Sequence, residues 1–294
     1  MTPAPPQQPE PRPAGRAARQ VEHPPARDPR GILDRPAERP DATVRYGGRV
    51  DQVVDVFLPP QRVDGAVTVA RPAPVLVLLH GGFWRQEYDR HHVRPLAHAL
   101  CAEGLVVATP EYARTGGVGG WPHMFDDIAA VRDALPTLLA AVAPGRTQEG
   151  PVTVAGHSAG GHLALWWALT APDPGSVRRV VALAPVADLR RGHAERLGEG
   201  AVEALLGGTP EQHPDRYDAC DPVRLLAATE RATPVTVPVT VLHGTDDGVV
   251  PVEHSRDLHG VTFVELPDTE HFALIDPLQP AWPTVRDAIL RGQH

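Results

Sequence analysis

Short β-like apolar runs and helix-like segments take turns along this chain, and that alternation restricts its folding more than any other feature. "TVRYGG" and "VDQVVDVFLPP" read as two early strands around a Gly-Gly turn, and the continuous run Val75 to Leu79 in "APVLVLLHGG" reads as a strand buried on both faces. "VRPLAHALCAEG" follows as a helix closed by Gly104, then "LVVATPEY" as a strand and "HMFDDIAAVRDALPTLLAAV" as a helix that Pro136 should kink or break. The pattern continues with "PVTVAG", "AGGHLALWWALTA", "RRVVALAP", "PVTVLHG", "VEHSRDLHG", "VTFVELP" and a final helix in "PAWPTVRDAIL". Strands separated by helices predict an α/β fold, a mostly parallel central sheet with helices on both faces. Residues 188–230 are more polar and less periodic, and are expected to form a small cap-like insertion.

The chain has 294 residues, of which 42% are hydrophobic, enough for one large core. Residues 1–42 are rich in Pro and Arg, carry no apolar leader segment, and read as a disordered tail ahead of a domain at 43–294. The net charge is −8, with no basic block in the body of the chain, which argues against nucleic acid as a partner. No apolar run of about 18 residues is present, so no membrane-spanning helix is expected. The chain has no lysine, which excludes a Schiff-base or phosphate-loop lysine. Its two cysteines, Cys101 and Cys220, have no metal-site spacing and read as buried thiols of a cytoplasmic protein. Neither a cofactor nor a metal is expected, and the oligomeric state is not legible.

One junction carries chemistry. In "VTVAGHSAGGHLALWWAL" a strand-like run stops at Gly156, Ser158 follows between small residues, and a helix begins at once. Gly156-His157-Ser158-Ala159-Gly160 fits G-x-S-x-G, a sharp turn that lifts a serine hydroxyl clear of a sheet. With only three serines in the chain, an accidental match is disfavoured. A hydroxyl needs a base to become a nucleophile. His271, in "LPDTEHFALIDP" after the last strand, is the best placed of the histidines, and Asp246 or Asp247 in "VLHGTDDGVVP" would orient it. In "LLHGGFWRQ" the glycines leave room for amides to approach a carbonyl, which makes Gly82 and Phe83, with Ala159, the expected oxyanion donors. Trp84, Tyr112, Trp121 and Phe272 lie in loops and are expected to line the substrate pocket.

Taken in order, "HGGFW" (80–84), "GHSAGGHLAL" (156–165), "HGTDDGVVP" (243–251) and "HFALIDP" (271–277) resemble the α/β-hydrolase superfamily over about residues 43–290. The H-G-G-x-W form, with "PEYART" and "GGWPHMFDD", is similar to the kynurenine formamidase (arylformamidase) and small carboxylesterase group. The resemblance selects Asp247 over Asp246 and implies a catalytic set of Ser158, Asp247 and His271. It implies a serine hydrolase that cleaves a small-molecule ester or formamide, an aromatic one among them, through an acyl-enzyme. The other readings are a non-catalytic binding protein on the same fold and a peptidase related to the prolyl-oligopeptidase group.

Overall fold

The computed structural model describes residues 28–64, 67–69, 72–232 and 237–292. Along the chain run β1 (Ala42–Arg45), β2 (Val53–Phe57), β3 (Arg62–Asp64), β4 (Val67–Val69), β5 (Val75–Leu79), α1 (Arg94–Ala102), β6 (Val106–Pro110), α2 (His123–Val142) and β7 (Val152–His157). There follow α3 (Ala159–Leu169), β8 (Val177–Leu183), α4 (Leu189–Ala194), α5 (Leu197–Leu206), α6 (Pro214–Cys220), α7 (Pro222–Ala232), β9 (Val239–Gly244), α8 (Glu253–Arg256), β10 (Thr262–Leu266) and α9 (Trp282–Leu290).

Eight strands form one sheet in the order β1-β2-β6-β5-β7-β8-β9-β10. Pairing is parallel from β6 to β10, and antiparallel where β1 meets β2 and β2 meets β6. The period of two along β5 divides the core. Val75, Val77 and Leu79 join one apolar cluster with Phe125, Val131 and Leu163, while Leu76 and Leu78 join the other with Leu96, Leu100, Val285 and Ile289. Helices α2 and α3 therefore cover one face of the sheet, and α1 and α9 the other. This is the α/β architecture expected from the alternation, a mostly parallel sheet with helices on both faces.

The chain leaves β5 for β6 on one side and returns to β7 on the other, so strand order reverses at β5. Loops at the carboxyl ends of β5 and β7 flank that reversal, the place where open parallel sheets leave a crevice. The loop after β5 is His80-Gly81-Gly82, and the loop after β7 contains Ser158.

Three details differ from the sequence reading. Helix α2 runs unbroken through Pro136, because Val131, Leu135 and Leu139 hold its inner face in the core on both sides of the one missing hydrogen bond. Strands β3 and β4 form a separate hairpin that the sequence did not announce. The tail boundary drawn at residue 42 is too late. The turn Pro29–Ile32 packs against the segment His271–Ile275, and Ile32 is buried in the second core cluster. Residues 1–27, the rest of the expected tail, lie outside the described residues. The segment from 188 to 230 forms α4 to α7, with α7 packed on α3. No helix among the described residues is long and apolar enough to cross a membrane.

Candidate active site

Ser158 sits at φ 56°, ψ −119°, between the end of β7 and the first residue of α3. A side chain with a β-carbon is strained there, and the neighbours hold it in place. Ser158 N–H donates to the Leu183 carbonyl of β8 at 2.8 Å, and the Ser158 carbonyl accepts from the His162 amide at 3.1 Å. The flanking glycines are a steric requirement. A β-carbon on Gly156 would stand 2.1 Å from the Gly160 carbonyl oxygen, and one on Gly160 would stand 2.2 Å from that of Leu79. Ala159 opens α3, so its N–H has no acceptor within the helix and adds to the positive helix end beside Ser158.

The β5 loop lies against this turn. A β-carbon on Gly81 would come within 2.9 Å of the His157 carbonyl oxygen and 3.1 Å of the Ser158 β-carbon. Gly82 has φ 107°, and Phe83 and Trp84 follow at 49° and 58°, so the backbone turns back on itself above the serine. The loop is fixed from beneath. His80 Nε2 bonds the Glu111 carboxylate at 2.8 Å, His80 Nδ1 faces the Gly81 carbonyl at 2.8 Å, and the Tyr112 hydroxyl donates to the His80 carbonyl at 2.7 Å. Burial pushes the Glu111 carboxyl up, but the charge and hydrogen bond of His80, with Arg114, outweigh it and bring it to about 2.

His271 and Asp247 form the third part. His271 Nδ1 donates to Asp247 Oδ2 at 2.6 Å, and the Asp247 side chain is fully buried. His243 Nε2 approaches the same oxygen at 3.1 Å, and the amides of Val249 and Val250 donate to Oδ1 at 2.8 Å each. Burial disfavours the charged carboxylate, yet the bonds from His243 and His271 prevail and hold it well below the usual carboxylate range. Asp246 is exposed, within 3.1 Å of the Thr245 hydroxyl, and meets no histidine. Behind His271 lies His157, whose Nε2 bonds the His271 carbonyl at 3.0 Å while the two rings stand 4.4 Å apart. Burial, then the neighbouring His271, lowers His157 well below its ordinary value, so it stays a neutral donor.

A cavity of about 320 Å³ joins these parts, lined by Ser158, His271, Gly82, Phe83, His157 and Phe272, with Tyr88, His92, Val249, Arg30 and Leu33 completing its walls. Of the residues singled out in the sequence, Ser158, His271, Gly82, Phe83 and Phe272 line this one cavity, with Asp247 bonded to the imidazole and Ala159 next to the serine. Three expected pocket residues do not line it. Trp84 and Tyr112 are fully buried core residues, Trp84 edge-on to His162 and Tyr112 stacked on His80 at 4.3 Å. Trp121 packs on Phe125, away from the cavity. The left-handed turn at residues 82–84 sends the large indole inward, which no loop assignment could reveal. Of the residues missed, Arg30 and Leu33 had one signal, the apolar pair Ile32-Leu33 inside a Pro/Arg-rich stretch. His243 had another, its place at the end of a strand four residues before Asp247.

The insertion touches the site from behind. A β-carbon on Gly198 would fall 2.7 Å from the Phe83 ring, and the Arg85 guanidinium bonds the Gly198 carbonyl. None of the cavity's lining residues comes from 188–230, so the segment braces the glycine loop where a cap was expected.

A serine held on a strained strand-to-helix turn, lining one cavity with a carboxylate-bound histidine from the loop after the last strand, fits a protein of the α/β-hydrolase class. Within that class the chain belongs to the BD-FAE family, whose model matches residues 54–261. It is similar to esterase LipC of Mycobacterium tuberculosis, 29% identical across 79% of this chain, and to esterase LipQ of the same organism, 27% identical across 80%. The chain spans 60% and 57% of those two relatives' lengths. Among solved structures it shares its fold with a truncated carbohydrate esterase from gut microbiota, at TM-score 0.68 and 16% identity, covering 86% of this chain and 97% of that one. Esterase B of Lactobacillus rhamnosis gives TM-score 0.68 at 19% identity, with 90% of each chain covered.

Proposed function

We propose that this chain is a serine hydrolase of small carboxylic esters, with Ser158 as nucleophile, His271 as general base and acid, and Asp247 as the group that orients the imidazole. The observation that carries it is the 2.6 Å bond from His271 Nδ1 to a buried carboxylate, with His271 and Ser158 lining one cavity beneath the glycine loop. The Nδ1 bond fixes the tautomer, leaving Nε2 to take the Ser158 proton as the hydroxyl oxygen attacks the ester carbonyl. The developing oxyanion is met by amides of Gly82, Phe83 and Ala159, a role supported by Gly82 and Phe83 lining the serine's cavity and Ala159 following it at the start of α3. His271 then gives its proton to the leaving alcohol, and water, activated by the same imidazole, releases the acid from Ser158. The esterase relatives support the ester class, and the cavity, near the lower end of the roughly 300–1,000 Å³ typical of ligand sites, suits a compact substrate.

A formamide, the other substrate class of the resembled group, would fit so small a space too, and Phe83, Tyr88 and Phe272 supply aromatic walls for an aryl substrate. A fluorophosphonate probe should label the wild type and leave Ser158→Ala unlabelled. Wild type should hydrolyse p-nitrophenyl acetate faster than N-formylkynurenine. The reverse preference moves the assignment to formamides, and a protein that neither labels nor turns over either compound is not a serine hydrolase.

A further inference from the structure

The stretch "DPRGILDR" breaks the Pro/Arg composition around it with two adjacent apolar residues, Ile32 and Leu33. The structure uses them in different directions. Asp28 caps the turn, its carboxylate accepting from the Arg30 amide at 3.0 Å. In a turn of this kind successive side chains point about 120° apart. Ile32 goes inward, fully buried in the cluster that holds Leu274 and Ile275, while Leu33 stays half-buried and lines the cavity that contains Ser158 and His271. Two residues on, the Arg35 guanidinium grips both carboxylate oxygens of buried Asp276, the second at 2.7 Å. The segment is thus fastened on either side of Leu33, and both fastenings are to the stretch that carries His271.

A fastened side chain in the wall of a small cavity sets what fits. We propose that Leu33 is a specificity-determining residue, one that limits the length of the apolar moiety of the ester admitted beside Ser158. Val249, Phe272, Tyr88 and Phe83 provide the other apolar walls, and each of these lies in or beside a loop of the sheet's carboxyl edge. Leu33 alone among the apolar lining residues comes from the segment that precedes β1, outside the loops that carry Ser158, His271 and Gly82. The inference rests on the esterase reading.

The test uses the full chain, with p-nitrophenyl esters from acetate to octanoate and a matching series of alkyl acetates. Leu33→Ala should raise the long-to-short ratio of kcat/KM in one of the two series by about tenfold, chiefly through KM, and Leu33→Trp should lower it. Opposite shifts from the two variants are what a purely structural role would not give, because loss of packing lowers all esters together. If wild type turns over esters and neither variant moves either ratio, Leu33 is not a specificity residue. If wild type turns over no ester and takes no fluorophosphonate, the esterase reading falls first and this one with it.

Discussion

At the scale of single residues, the assembly depends on where Asp247 spends its four acceptor positions. Oδ2 receives ring N–H groups and Oδ1 receives two amides, so every neighbour is a donor. Asp247→Asn puts an NH₂ among them, and it must face either the imidazoles or the amides, leaving one set unpaired. The imidazole then loses its fixed tautomer, and kcat should fall by about 10⁴, as in comparable triads. Stability should respond with a definite sign. The folded carboxyl titrates below its unfolded value, so its contribution is complete above about pH 4 and is lost as pH falls through the folded value. Melting temperatures of wild type and Asp247→Asn should therefore differ by a constant amount from pH 5 to 8 and converge below about pH 4. A gap that widens on acidification would contradict the bonding described. Ser158 and His271 stood out in the sequence by motif and chain order, whereas order alone left Asp246 and Asp247 open and only the family resemblance chose Asp247, the one whose carboxylate bonds His271. The burial of Trp84 and Tyr112 was not legible, because the direction of a side chain depends on backbone φ that residue type does not announce.

Elements matter through the clearances they leave. Helix α3 can begin one residue after Ser158 only because Gly160 meets the β5 end without a side chain, its absent β-carbon leaving 2.2 Å to Leu79 O and 2.4 Å to His80 O. Those contacts are backbone and cannot swing aside. Gly160→Ala must push α3 off the sheet, and overpacking of this kind costs about 1–3 kcal/mol or more. Its melting temperature should drop by several degrees, and fluorophosphonate labelling should slow even at temperatures where the variant is folded. Unchanged labelling would mean that the elbow does not need the close approach. A gentler probe of the same principle is Gly198, where a side chain would meet the Phe83 ring rather than backbone. The glycines of the G-x-S-x-G run could be read from the sequence as clearance. Gly198 could not, since its partner lies 115 positions away and nothing local marks the pairing.

Across the whole molecule, strand-helix alternation was enough to announce a parallel sheet with two covered faces. It placed three site loops at one edge, because the carboxyl ends of parallel strands share an edge whatever the strand order. The N-terminal boundary was misjudged for a physical reason: composition averages over a window, and one buried isoleucine with one ion pair holds a segment whose average looks disordered. Ile32 gains about 1.5–3 kcal/mol from burial. Removing Arg35 leaves Asp276 without its cation but still bonded by the Leu278 amide, and because Arg35 is partly exposed the loss is expected to cost about 1–3 kcal/mol. Because Asp276 closes the stretch that begins at His271, that cost falls on the loop that carries His271. Ile32→Ala and Arg35→Ala should each lower the melting temperature by several degrees, at roughly 2–4 °C per kcal/mol for a domain of this size. Arg35→Ala should also lower kcat, since His271 loses part of its anchorage, and the pair Arg35→Ala with Asp276→Asn should recover part of the lost stability by removing the stranded charge. Full stability in Arg35→Ala alone would show that residues 28–35 rest on the domain without holding it.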